Sequence, residues 1–571
     1  MKSIVLLIGL LLLAFIPAAQ TLLVVPDTLV GPNIALEMHE DSVQFFPGQI
    51  SYTYAYNQYS YLGPTLIFEQ GQNMNITVTN SINDTTTVHW HGIHLPSEWD
   101  GGPHTMIMDG DTWNPQFTVM DKAATYWYHP HLHMKTALQA IKGAAGFIIV
   151  RDPNEAALNL PRTYGVDDYP IVVQCQEYDA NNQAMPLGMQ DSTILVNGAR
   201  ANYDGNSVYA NFPAQMVRMR LLNASGERAF NFGFTGNKNF YQIASDGGLL
   251  NEPFDTTRIR LAPGERAEIV LDLSGMQNQT LYLMSYASEL PMGVQGGPTM
   301  PMPPGYPPMD SPLNGINFNI MQINVVAPTA NGVTSLPLTL ENHVPYDTAS
   351  ADITRTLRFT ADSAMVMDGP FYFNDSSFNM DRIDFVIPIN NTEIWKLVNE
   401  TMVAHPFHIH DVQFYVLDRN DGLTPHRGEQ GRKDVIFIPT GDSLRFITKF
   451  EDFADSIIPF MYHCHILMHE DAGMMGQFIV VPPGYVGVNE NMKLSEKLVV
   501  FPNPVETELN IHLPTENEQF DLRITDASGR VLMSKNSTNQ TKVDVSMLPK
   551  GSYYILVRTT DKFYTTNFTK I

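Results

Sequence analysis

A chain of 571 residues is too long for one hydrophobic core and divides into several domains of ordinary size. Charged residues are sparse at 16%, and 34 basic against 59 acidic side chains give a formal charge of -25. That balance excludes nucleic acid and anionic membrane as natural partners and fits a soluble protein that repels its neighbours.

The N-terminus, MKSIVLLIGLLLLAFIPAAQT, sets a lysine at position 2 before an apolar run from Ile4 to Ile16, with Ala18 and Ala19 before Gln20. This is the pattern of a secretory signal peptide over residues 1–20; a buried core helix is the alternative. No later run is long enough to cross a bilayer, so no transmembrane segment is expected. The mature chain is expected to pass through the periplasm and to be secreted or held at the cell surface. Such a chain can use disulfides, yet only Cys175 and Cys464 are available. Cys175 lies in the apolar run YPIVVQC and reads as a buried strand residue. Bonding it to Cys464 would consume a thiolate that the surrounding histidines make useful.

Short β-branched and aromatic runs such as NITVTN, GFIIV, AEIVLDL, IDFVIPI and GQFIVV alternate with Gly, Pro, Asn and Asp. Helical periodicity is scarce, and regularly spaced strands with turn chemistry between them predict an all-β protein of sandwiches or barrels. Polar stretches after residue 150, near 327–337 and near 482–497 read as linkers. They leave strand-rich blocks at 21–152, 160–328 and 338–483, and a tail at 497–571.

Eight of the 17 histidines fall in four His-x-His pairs: His89 and His91 in VHWHG, His129 and His131 in YHPHLH, His408 and His410 in HPFHIH, and His463 and His465 in YHCH. On a strand each pair turns two imidazoles to one face. Neutral imidazole prefers zinc, copper, iron or nickel, and eight converging would bind several ions together. Cys464, between His463 and His465, faces the other way. His405 and His469 are at hand for it, with Met474 ten residues on. One cysteine, two histidines and a weak axial methionine form the donor set of a blue copper centre; for Met474 alone a core methionine is the alternative.

HWHG, YHPHLH, HPFHIH and HCHILMHEDAGMM resemble the four copper signatures of the multicopper oxidases, in that family's order, from about residue 45 to 483. The resemblance implies three cupredoxin-like β-sandwich domains, with a blue copper in the third and a three-copper cluster between the first and third. It assigns His405, Cys464 and His469 to the type 1 copper with Met474 axial, and His89 and His408 to type 2. His91, His129, His131, His410, His463 and His465 then hold the type 3 pair, four copper ions in all. Four one-electron oxidations would be joined to reduction of dioxygen to two waters. Asp100 in SEWDGGP and Glu470 in HEDAG match carboxylates that the family places beside the cluster, which implies a proton relay; solvated surface carboxylates are the alternative. Asp434 in GRKDVIF matches a position near the type 1 histidines, where it would orient an imidazole or meet a cationic substrate. His94, His104 and His133 read as neighbours of the site, and His39, His343, His426 and His512 as ordinary histidines.

The HEDxGMM ending resembles the bacterial laccase and cuprous oxidase branch. A cuprous oxidase carries a Met-rich insert over its type 1 copper, whereas the corresponding region here offers only Met365, Met367 and Met380. Met292, Met300, Met302 and Met309 sit in a Pro-rich stretch that reads as a surface loop or as thioethers for Cu(I). The tail, from LVVFPNPVETELNIHL to NFTKI, reads as a small β-sandwich. It resembles the sorting domain of type IX secretion substrates, which implies a secretion machinery as partner; an adhesive or carbohydrate-binding module is the alternative. The expected function is a secreted laccase-like oxidase of phenolic, aromatic amine or metal-ion donors. A cuprous oxidase and a copper-sequestering surface protein are the rivals.

Overall fold

The computed structural model describes residues 20–186, 190–201, 208–299, 311–363, 366, 369–420, 422–482, 492–493, 498–513, 519–526, 531–538, 541–559 and 563–571. The expected signal peptide falls on residues outside this set but for Gln20, as do Met300, Met302, Met309, Met365 and Met367. The fold is all-β and built of sandwiches.

Alternation builds the first sandwich. In strand Asn33–Val43, Ile34, Leu36 and Met38 are buried while Asn33, Ala35 and Glu37 are exposed, because successive side chains leave opposite faces of the pleat. This strand pairs with Ser51–Tyr56 and Asn73–Ser81. Their sheet packs on one formed by Thr28–Val30, Thr65–Glu69, Gly146–Arg151, Ala124–His129 and His89–His91. The second sandwich stacks a six-stranded sheet on an eight-stranded one. Its strand Asp168–Tyr178 is buried on both faces for most of its length. Ile171, Val173 and Cys175 point into its own core, and Val172 meets Trp127 and Phe147 in an apolar layer against the first sandwich. Two-sided burial explains why YPIVVQC reads as a continuous apolar run. Thr21–Leu22 add a parallel strand beside Val208 and Tyr209, so the first described residues join the second sandwich.

The third sandwich packs two five-stranded sheets over a core that contains Cys464 and Met474. The tail has a three-stranded and a four-stranded sheet over its own core, and its Arg558 donates to the Ser456 hydroxyl of the third sandwich. Cys175 and Cys464 are both free. Among the described residues no helix is long and apolar enough to cross a membrane.

Charge also holds the first two sandwiches together. Arg220 grips Asp168 at 2.8 and 2.9 Å and Glu268 at 2.7 Å, and donates to the Thr125 hydroxyl of the first sandwich at 2.9 Å. Arg218 joins Glu155 to Glu268 beside it. Every one of these side chains is buried. Arg220→Met keeps the bulk but removes the two short charged hydrogen bonds of Asp168 and one of the two arginine partners of Glu268, and is expected to cost about 3–5 kcal/mol in denaturant unfolding. A loss below about 1 kcal/mol would show that the lattice does not hold the sandwiches together.

Candidate metal centres

Two antiparallel strand pairs set the imidazoles. In the first sandwich the ladder places His129 opposite His89 and Trp127 opposite His91. In the third it places His463 opposite His408 and Cys464 opposite Phe407. The two pairs face each other across the junction of the sandwiches: the His89 ring stacks on His410 and the His91 ring on His408, each at 3.8 Å between centroids.

The donor atoms converge in threes. His89, His408 and His410 form one group, His91, His129 and His465 a second, and His131, His410 and His463 a third, the ligand atoms of each lying within 4.8 Å of one another. Within the second group His91 Nδ1 lies 3.3 Å from both His129 Nε2 and His465 Nε2. Within the third His463 Nε2 lies 3.1 Å from His131 Nε2 and 3.4 Å from His410 Nε2. All eight rings are buried.

Six of the eight rings have their other nitrogen satisfied locally, which fixes their tautomers. Nδ1 of His89, His129, His408 and His463 donates to the carbonyls of Asp100, Pro130, Asp434 and Cys464 at 2.8–3.0 Å. His410 Nδ1 donates to Asp100 Oδ2 at 2.7 Å. The Asp100 carboxylate reaches His89 Nδ1 as well, at 3.4 Å. Glu470 spans the third group, 3.3 Å from His131 Nδ1 and 3.2 Å from His463 Nδ1. Burial would raise the Asp100 carboxyl, but His410 and His89 outweigh it and hold it well below the usual carboxylate range.

A fourth group lies on the other face of the same strand. Cys464 Sγ is 3.4 Å from His405 Nδ1 and 3.6 Å from His469 Nδ1. Met474 is buried in the same core, its carbonyl accepting from Cys464 N and its N–H donating to the His469 carbonyl. Phe371 packs on both imidazoles, and Ile466 N–H donates to the sulfur. Burial pushes the Cys464 thiol up, so a cation is needed there to draw out the thiolate.

Asp434 departs from its expected place. Its carboxylate lies 3.2 Å from His91 Nε2 and its carbonyl takes the His408 Nδ1 proton, so it serves the histidine cluster rather than His405 or His469. The partner of His405 is Thr401, whose hydroxyl meets Nε2 at 2.8 Å. Four residues upstream in ETMVAH, Thr401 carries no sequence signal of its own. Asp471 was also missed: its two oxygens accept from Thr136 and Ala137 N–H, tying the turn that carries His469 and Glu470 to the first sandwich. Of the other histidines, His94 is clamped by Asp411 and Asp452, and His104 bonds Gln477. His133 packs on Phe378, His343 bonds the Leu249 carbonyl, His426 caps a short turn, and His39 bonds the Asn57 carbonyl. His512 ends strand Glu508–His512.

The fold and these buried nitrogen and sulfur clusters define a cupredoxin-like metalloprotein. His89 Nε2 and His408 Nε2 are buried without a hydrogen-bond partner among the described residues, as nitrogens whose lone pairs serve a metal would be. Family models described as multicopper oxidase match residues 37–155, 168–298 and 315–484, and one described as a secretion system C-terminal sorting domain matches 499–570. A multicopper oxidase of Staphylococcus epidermidis is 31% identical over 459 residues, 78% of this chain and 88% of the relative. The cell division protein FtsP of Proteus mirabilis is 30% identical over 429 residues, 74% and 84% of the two chains. A laccase-like multicopper oxidase, CueO, from Ochrobactrum, with oxidase activity towards lignin model compounds and lignosulfonate, superposes with a TM-score of 0.69 at 30% identity, covering 80% of this chain and all of that one. The chain belongs to the multicopper oxidases: it is a copper-binding oxidoreductase with a secretion sorting domain.

Burial lowers His410 and His469 from 6.5 to about 3 and pushes His91, His129, His131, His405, His408 and His465 well below the ordinary value. Below 6.5 the unfolded chain therefore binds more protons than the folded one, and stability present above that pH is lost as pH falls towards about 3. The melting temperature of the metal-free protein is expected to drop steadily from neutral pH downwards through this window. A flat or rising profile would contradict the buried neutral imidazoles.

Proposed function

We propose that the chain is an exported laccase-like oxidase that holds four copper ions and couples one-electron oxidation of phenolic, aromatic amine or metal-ion donors to dioxygen reduction. One observation carries the reading. Cys464 joins the thiolate group on one face of its strand, while its covalent neighbours His463 and His465 join two imidazole groups on the other. On this reading His405, Cys464, His469 and Met474 hold the type 1 copper, His89 and His408 the type 2 copper, and the other six histidines the type 3 pair. Copper bound there would supply the redox chemistry, joining four one-electron oxidations of donor to the four-electron, four-proton reduction of dioxygen to two waters.

The chain's own residues do the rest. The path from Cys464 through backbone to His463 and His465 is short and covalent, so the donor site and the cluster are joined without a diffusing carrier. Asp100 and Glu470, each against two Nδ1 atoms, orient the imidazoles and offer carboxylates through which protons can pass to where water forms. Replacing each with its amide keeps the shape but removes the carboxylate that accepts and passes a proton. Asp100→Asn and Glu470→Gln are expected to keep copper and colour while slowing oxygen uptake by about 10–100-fold and flattening its pH profile. Loss of copper would make them structural, and an unchanged rate in both would remove them from the proton route.

The sorting domain supports release to the cell surface or the medium. Relatives include oxidases and a cell division protein, so turnover has to be measured. What favours an oxidase over sequestration is that donor sets for both centre types are complete and joined. Met380 packs with Phe378 and the fully buried Met461 and Met475, so these thioethers fill a core rather than line an open surface for Cu(I), and Met292 stands exposed in a different segment. Copper-loaded protein is therefore expected to consume oxygen with a simple phenol faster than with Cu(I). A reversed order would make it a cuprous oxidase, and no uptake with either would make it a binding protein.

A further inference from the structure

The second sandwich gives no ligand to any of the four groups, yet it presses on one of them at two points. Gly264 has φ +82°, and a Cβ there would lie 2.7 Å from the His465 ring. Two residues on, Arg266 reaches under the first sandwich and is fully buried. Its Nη1 and Nη2 donate to Asp434 Oδ1 and Oδ2 at 2.5 and 2.6 Å. Nε donates to the Thr125 carbonyl, the second Nη1 proton to the Gly264 carbonyl and the second Nη2 proton to the Asp246 carbonyl. All five guanidinium protons are used, so the fork has one orientation.

That orientation decides a tautomer. His91 is reversed relative to its neighbours. Where His89, His129, His408, His410 and His463 tie Nδ1 and leave Nε2 to the cluster, His91 gives Nε2 to Asp434 Oδ1 at 3.2 Å and turns Nδ1 towards His129 and His465. The glycine of HWHG belongs to the same arrangement. Gly92 sits at φ +89°, where a Cβ would come within 2.4 Å of Asp434 Oδ2 and 2.8 Å of Arg266 Nη2.

We propose that Arg266 is a positioning residue of the oxidase: by holding both oxygens of Asp434 it selects the His91 nitrogen that faces the cluster, so the ligand-free second sandwich controls the type 3 pair. The inference rests on the copper reading above. It concerns one ligand in one group, so disturbing it should leave the Cys464 group untouched.

The test compares copper-loaded parent, Arg266→Lys and Arg266→Gln by copper content, visible absorption, the near-ultraviolet type 3 band and electron paramagnetic resonance. The blue absorption per chain is expected to stay at the parental level. The type 3 band should weaken, a resonance signal from uncoupled copper should appear, and oxygen uptake should fall by about 10–100-fold, less for lysine, which keeps the charge, than for glutamine. A merely structural arginine would lower the melting temperature without moving the type 3 signals per bound copper, and that result would overturn the proposal. Should the Arg266 variants fail to fold, Asp434→Asn carries the same test, since it keeps the side-chain shape and removes the charge that Arg266 grips. An unchanged type 3 band in that variant would also overturn it. A parent without blue colour after copper loading would instead refute the copper reading itself.

Discussion

Eight imidazoles must stay neutral, dry and aimed at common points, and the architecture around the site answers that requirement. A neutral imidazole in a closed interior has one lone pair to give and one N–H to place, and an unplaced N–H costs about as much as a lost hydrogen bond. Backbone carbonyls of Asp100, Pro130, Asp434 and Cys464 take four of these protons, and the carboxylates of Asp100 and Asp434 take two more. Carbonyls belong to the strands themselves. For these four rings the fold that positions the imidazole therefore also sets its tautomer.

The second requirement is that two separate bodies be held in fixed relation, because the imidazole groups mix residues 89–131 with residues 408–465. Direct contact between helices Thr136–Ile141 and Leu467–Asp471 provides part of it, through Ala137, Ala140 and Leu467 and the Asp471 cap. The second sandwich provides the rest. It packs on the first through Val172, Leu195 and Leu222 and on the third through Ala229, Ala262 and Phe437. Apolar layers set the distance between bodies, and the buried arginines with their fixed forks set the angle. The sequence HEDAG shows how closely the two tasks are combined. His469 faces Cys464, Glu470 faces the cluster, and Asp471 fastens the turn that carries both.

Much of this is legible in the sequence alone. Paired histidines two apart are visible in sequence because strand geometry turns i and i+2 to one face, and the Cys464 group because sulfur and imidazole share a preference for copper. The runs around Ile171 and Ile479 read as strands because burial on two faces leaves no polar alternation to confuse them. What stayed hidden depends on contacts between distant segments. Thr401 is an ordinary hydroxyl until His405 is seen beside it, and the pairing of Thr21–Leu22 with the second sandwich has no local signal. Asp434 was singled out for the right chemical type but placed at the wrong group, because a carboxylate's neighbours follow from packing rather than spacing. Arg266 opens the strand Arg266–Asp272 with no local signal of the distant carboxylate it grips.

The central claim is that one strand serves both centres, with Cys464 on the donor side and its neighbours on the dioxygen side. Cys464→Ser measured by copper content, colour and oxygen uptake tests it most directly, since serine keeps the size and removes the soft sulfur. The account predicts one copper fewer per chain, no blue absorption, no donor-driven oxygen uptake, and retention of the type 3 band. A variant that stays blue, or one that loses the cluster copper together with the colour, would contradict it.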